Sequence, residues 1–163
     1  IAAHVEELME PGVRYIMGSG STVAAVMHYL GLENTLLGVD VIEDGHVIAS
    51  DVTAQQLLDL CDQQAAELFI TLIGGQGHVL GRGNQQLSPE LIKQLGLGNI
   101  HIVATKTKLK ELKGRPLLVD SGDPQLDQDL AGLVPVICGF HDVVLYPLGN
   151  PVAAAGTVGI SSL

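Results

Sequence analysis

"LFITLIGGQGHVLGRGNQQLSPELI", residues 68–92, contains three kinds of sequence in a row. Its first six residues form an apolar run of strand length, the pattern of a strand buried on both faces in a parallel sheet. Gly74, Gly75, Gly77, Gly81 and Gly83 then follow, with Arg82 among them and the amides Asn84, Gln85 and Gln86 directly after. A linker can be rich in glycine but has no use for an arginine and a run of amides, so the segment reads as a binding loop. Ser88-Pro89-Glu90 then opens a helix, with serine as cap and proline in the first turn. A strand, a polar loop and a helix make the repeating unit of an α/β fold. Loops at the carboxyl ends of its strands line the crevice where ligands bind.

The same rhythm extends in both directions. "VRYIM" (13–17) reads as a strand, "GSGST" (18–22) as a loop, and "VAAVMHYLGL" (23–32) as a helix that Gly31 ends. "TLLGVDVIEDGHVIASDV" (35–52) reads as two strands about Asp44-Gly45, a dipeptide suited to a type I′ hairpin. Thr53 caps a helix that carries Leu57, Leu58 and Cys61 on one face. "NIHIVAT" (99–105) and "RPLLVD" (115–120) are further strands, Asp123-Pro124 opens a short helix through Leu130, and "VPVICGF" (134–140) and "VVLYPL" (143–148) close the sheet. These elements predict a three-layer α/β domain with a mostly parallel, Rossmann-like sheet and a β-hairpin insert. The expected domain covers residues 1–148. Residues 1–10 are helix-like and enter without a start Met or a cap, as if cut from a longer chain. Residues 149–163, small and unpatterned, are expected to form a flexible tail or a strand lent to a neighbour.

A chain of 163 residues suffices for one domain with a sizeable core. It has no apolar window long enough to span a membrane, its opening residues do not read as a basic-then-apolar leader, and the unpatterned Cys61 and Cys138 suggest buried thiols, so a cytoplasmic protein is expected. The net charge of −10 argues against non-specific nucleic-acid binding, and two Phe, three Tyr and no Trp leave little for base stacking. The charge is unevenly spread. Residues 1–81 hold eleven acids and one base, whereas residues 82–115 hold seven bases and two acids. The basic run Lys93, Lys106, Lys108, Lys110, Lys113 and Arg115 is either a solvated helix face or a local anion-attracting patch.

Three motifs carry the chemistry. In "GSGST", Gly18 and Gly20 allow close backbone approach, Ser19, Ser21 and Thr22 add hydroxyls, and the following helix start adds free N–H groups and its dipole. That is the design of a phosphate cradle, although the lysine of a Walker A loop and the spacing of a dinucleotide fingerprint are both absent. The alternative is a tight turn with serine as cap. In the second loop, Gly74, Gly75, Gln76 and Gly77 permit positive φ or ligand contact, Arg82 can pair with a phosphate, and Asn84 and Gln85 offer donors and acceptors for a ribose or base edge. The alternative there is a loop whose amides satisfy its own backbone. In "LLVDSGD" (117–123), Asp120 and Asp123 follow an apolar strand, where a carboxylate can hold ribose hydroxyls, although Asp123 also suits a helix cap. Asp40, inside an apolar strand, is either hydrogen-bonded structurally or functional. Asp40, Asp120 and His78 are the candidate catalytic groups. His28, His46 and His101 read as surface or satisfied residues, and no zinc spacing occurs. Ser21, Arg82 and Asp120 are expected to converge on one polar cleft.

Taken together, "GSGST", "LLGVDVIEDGHVIASDV", "IGGQGHVLGRGNQQLSPELI", "LLVDSGD" and "VICGFHD" resemble the C-terminal region of the ATP-NAD kinase-like proteins, a group that includes the acetoin catabolism protein X relatives, over residues 5–148. The resemblance implies an N-terminal kinase domain with a GGDGT motif. Here Gly74-Gly75-Gln76-Gly77 has glutamine where that motif needs aspartate, so no phosphoryl-transfer role is carried over to this chain. It further implies NAD and ATP (or polyphosphate) as substrates, Mg2+ as a possible companion of the phosphates, the protein's own N-terminal domain as partner, and a homo-oligomer. A looser likeness, to the element order of ribose-phosphate isomerases, agrees with a phosphate cradle. The readings that follow are a substrate-recognition domain of an NAD kinase-like phosphotransferase, a module that senses a nucleotide or sugar phosphate, and an isomerase-like enzyme.

Overall fold

The computed structural model describes residues 1–149. A seven-stranded sheet runs in the order β3-β2-β1-β4-β6-β8-β9: β1 (Arg14–Met17), β2 (Asp40–Glu43), β3 (His46–Ala49), β4 (Ala66–Ile70), β6 (Ile100–Val103), β8 (Gly132–Gly139) and β9 (Asp142–Leu148). The central strands β1, β4, β6 and β8 are parallel neighbours, and an antiparallel hairpin closes each edge. The sheet is therefore mostly parallel, as expected. The Asp44-Gly45 hairpin, set between α2 and α3 in the chain, forms one edge of the sheet. Both turn residues have positive φ (51° and 78°), the geometry of a type I′ turn.

Side chains alternate across the sheet and build two cores. Tyr15, Met17, Phe69, Val103 and Ile137 point to one face, where Val5 of α1 (Ala2–Leu8) and Val23, Val26 and Met27 of α2 (Ser21–Tyr29) cover them. Ile16, Leu68, Ile70, Ile102 and Val136 point to the other. There they pack on Leu57 of α3 (Ala54–Leu60), Leu91 and Ile92 of α4 (Pro89–Leu95), Leu109 of α5 (Lys106–Glu111) and Leu126 of α6 (Pro124–Leu130). Period-two alternation between two apolar layers is what makes these strands near-continuously hydrophobic in sequence. Helix starts follow the cap residues. Thr53 and Gln56 form a reciprocal capping box, Ser88 Oγ accepts the Leu91 N–H, and Asp123 accepts the N–H groups of Gln125 and Leu126.

Two expectations need correction. The apolar run 68–73 is strand only to Ile70, and the glycine segment is not one open loop. Ile73 N–H donates to His78 O (2.7 Å) and closes a tight turn over Gly74–Gly77, after which β5 (His78–Leu80) begins. The segment 115–120 is not a strand of the main sheet. Its β7 (Leu118–Val119) pairs in parallel with β5 in a separate two-stranded sheet, with Leu118 N–H on Gly77 O and Asp120 N–H on Leu80 O. Burial favours this arrangement, because Val79, Leu80 and Leu117 join the same core cluster as Leu91, Ile92 and Leu112. The expected tail falls outside the described residues except for Gly149, which is buried and donates to Leu117 O. Among the described residues no helix is long and apolar enough to cross a membrane.

Candidate functional site

The chain leaves β1 for a helix on one face of the sheet and leaves β4 and β6 for helices on the other. That divergence opens a crevice at the carboxyl ends of adjacent parallel strands, the usual ligand position in open α/β sheets. A cleft of about 390 Å³ lies there. Gly20, Ser21 and Thr22 line it from the loop after β1, Thr71 to Gly75 from the segment after β4, and Lys108, Glu111 and Leu112 from α5 after β6.

Two local features make this cleft suited to an anion. Gly20 has φ of 119°, and a Cβ there would meet Thr71 Cγ2 at 2.6 Å, so only glycine lets the two loops lie this close. Gly20 is also the N-cap of α2, and no side chain caps that helix or α1, whereas α3, α4, α5 and α6 each carry a side-chain cap. The first N–H groups of α2 are thus left for an external acceptor, with the Ser21 and Thr22 hydroxyls beside them. Lys108 supplies the positive charge. Its Nζ lies 3.9 Å from Glu111 Oε1, a loose surface pair that a phosphate can displace. A second cavity of about 510 Å³ shares Ser21, Thr22 and Lys108 and continues along α2 past Ala25, Val26, Thr105 and Cys138.

Of the residues singled out in sequence, the fold brings Gly20, Ser21, Thr22, Gly74 and Gly75 to the cleft. Gly18 and Ser19 lie behind it. A Cβ on Gly18 would sit 3.1 Å from Phe69 O, and Ser19 Oγ donates to Gly83 O at 3.1 Å, tying the two glycine loops together. Gln76 is exposed at the turn tip, and Gly77 packs under Leu112. The expected convergence of Ser21, Arg82 and Asp120 is not found: Ser21 lines the cleft, and neither Arg82 nor Asp120 does. Arg82 and Gln85 are exposed, and Asp120 is an exposed residue whose N–H completes the β5–β7 ladder. Asn84 is 1% exposed and spans its own loop, accepting the Gly81 N–H and donating to Val79 O, both at 3.0 Å. Asp123 caps α6 and pairs with Lys93 at 2.6 Å, and the hydrogen bond from Lys93 holds its carboxyl below the usual range.

Both oxygens of Asp40 are engaged, one by Thr35 N–H (2.7 Å) and one by Asp51 N–H (2.9 Å). This buried carboxylate ties together the segments flanking β2 and does not line the cleft. His78 is buried in β5, and burial, aided by Arg82, lowers its pKa against the opposing pull of Asp120. His101 pairs with Glu67 at 2.6 Å and stacks on Phe69, whereas His28 and His46 are exposed. Burial raises the pKa of both thiols; Cys61 is buried as expected, while Cys138 is only half-buried. The lysine run resolves into solvated positions, with Lys106 paired to Asp142, and one cleft residue, Lys108.

Sequence reasoning missed Thr71, Leu72, Ile73, Lys108, Glu111 and Leu112 as lining residues. The available signal was position, since Lys108 lies in the first helix after a parallel strand adjacent to β4.

No curated protein and no solved structure matches the chain. The family model for the ATP-NAD kinase C-terminal domain matches residues 10–148, which include the whole sheet and every lining residue of the cleft. The chain belongs to the ATP-NAD kinase C-terminal domain family.

Proposed function

We propose that this domain is the nucleotide-recognition half of an NAD kinase-like phosphotransferase, one that makes NADP from NAD with ATP or polyphosphate as donor. Its partner is an N-terminal domain of the same protein that supplies the phosphoryl-transfer residues, and the working form is a homo-oligomer. The reading rests on one observation: the uncapped start of α2 opens into a cleft beside Lys108 at the carboxyl ends of β1, β4 and β6. A nucleotide phosphate fits there, accepting N–H groups from the helix start and hydrogen bonds from Ser21 and Thr22, with Lys108 as counter-charge. Phosphoryl transfer depends on positioning and charge neutralisation, so a domain of this kind contributes without carrying a base. Glu111 is the single carboxylate lining the cleft and already pairs with Lys108, so the cleft does not by itself make a Mg2+ site.

Titration calorimetry with NAD and with ATP tests this. Lys108→Ala is expected to weaken the bound nucleotide about tenfold, the scale of one hydrogen bond to a charged group, while Arg82→Ala leaves it unchanged. Equal affinity for Lys108→Ala and wild type would remove the cleft from the function. Binding of ribose 5-phosphate without either nucleotide would favour the sensing or isomerase-like readings. NADP formation by this chain alone would refute the division of labour.

A further inference from the structure

The sequence shows no metal-ligand spacing, yet the fold builds a donor cluster from residues that do not line the cleft. His4 and Glu7 are three residues apart and share one side of α1. His141 sits at the tip of the β8–β9 hairpin, between the paired residues Gly139 and Asp142. Its Nε2 lies 2.6 Å from Glu7 Oε2, and its backbone N–H donates to His4 Nδ1 at 2.9 Å. A ring nitrogen of each histidine and a carboxylate oxygen of Glu7 all lie within 4.8 Å of one another.

His141 has φ of 53°, a left-handed conformation that histidine, like asparagine and aspartate, adopts more readily than most residues. The exposed Phe140 ring stacks on His141 (centroids 4.1 Å apart) and meets His4 edge-on (6.4 Å), so one aromatic wall orients both imidazoles.

We propose that His4, Glu7 and His141 bind a divalent transition-metal ion, Zn2+ being the best match to two imidazoles and a carboxylate with one coordination position open. Binding replaces the His141–Glu7 hydrogen bond. His4 exchanges the His141 N–H for the ion, and that amide, at an exposed turn, passes to water. The bound ion clamps α1 to the hairpin tip. Because Ile1 and Ala2 wall the second cavity, the clamp also fixes that wall.

The test uses the whole chain, free of any affinity tag, with Zn2+ and Co2+ as probes. One equivalent of Zn2+ is expected to bind and raise Tm, and Co2+ should give visible d–d bands of a nitrogen- and oxygen-ligated site without thiolate charge-transfer absorption. Glu7→Gln and His141→Asn, both exposed and compatible with the local backbone, should each lower Zn2+ affinity about tenfold or more and abolish the Tm rise. Zn2+ affinity in the His4→Ala/His141→Asn double variant equal to wild type would overturn the proposal, as would a Tm indifferent to Zn2+ or a thiolate-type Co2+ spectrum. None of these readouts involves a nucleotide, so the outcome is independent of the proposed kinase role.

Discussion

The turns that follow β1 and β4 look alike in sequence, each a glycine-rich polar segment between an apolar strand and a helix, but they use their polar groups differently. After β1, the segment is short and its helix starts at Gly20, which offers no side chain. The free N–H groups and the hydroxyls of Ser21 and Thr22 therefore stay available at the cleft. After β4, Thr71 to Gly75 line the cleft, and of the glycines in that segment only Gly74 and Gly75 do. Much of the remainder is already engaged within the fold: Asn84 bridges Gly81 and Val79, Gly83 O accepts from Ser19 of the first turn, and the eventual helix α4 is already capped by Ser88. The number of donors and acceptors in a loop thus says little about ligand binding. What matters is how many its own backbone consumes, and a longer loop has more backbone to satisfy.

The contrast can be broken most sharply with two alanines. Gly81 has φ of 104°, and a Cβ there would run into the Asp120 carbonyl. Gly74 has φ of 75° with nothing within 4 Å of the same hypothetical atom. Gly81→Ala should cost about 3 kcal/mol or more, combining backbone strain with a steric clash, and Gly74→Ala about 1 kcal/mol from strain alone. Urea unfolding of the two variants measures the difference. If Gly74→Ala proves as costly as Gly81→Ala, the second turn is not divided into an open half and a self-bound half.

A smaller effect is expected at the amide that holds the second turn. Asn84→Ala leaves the Gly81 N–H and the Val79 carbonyl without their partners in a buried setting and should destabilise by about 2 kcal/mol. Nucleotide affinity of the folded variant, measured below its unfolding transition, should match wild type. A loss of affinity comparable to that of Lys108→Ala would return Asn84 to the binding site.

The sequence showed clearly what depends on local pattern. Apolar runs bounded by Thr53, Ser88-Pro89 and Asp123-Pro124 set the strands and caps, and Asp44-Gly45 set the edge hairpin. The segment holding β7 read as a strand, but β5 and the β5–β7 pairing were not legible, because a strand of three residues has no period to detect and the pairing joins segments about forty residues apart. Asp40 was legible as an anomaly but not as a solution, since its partners are backbone N–H groups of Thr35 and Asp51 that only the folded chain brings near. The cleft was half legible. Its glycine side is written in two motifs, while Lys108 is one of several similar lysines until the sheet order places α5 beside β4.

The least costly probe of the self-bound half is pH. His78 begins β5, just after the turn, and its pKa is lowered by burial first and by Arg82 second. In the unfolded chain it takes a proton near the ordinary imidazole value of about 6.5, whereas in the folded chain it resists protonation. The unfolded state therefore binds more protons between the lowered value and about 6.5. Stability from this residue is complete above that window and is lost as pH falls through it. Comparing the pH dependence of urea midpoints for wild type and His78→Gln isolates the effect, since the variant should lose less stability on acidification through this range. Parallel curves would mean that His78 titrates alike in both states. The burial of β5 against Leu117 and its neighbours would then be looser than the fold shows, and the turn before it correspondingly freer to open toward the cleft.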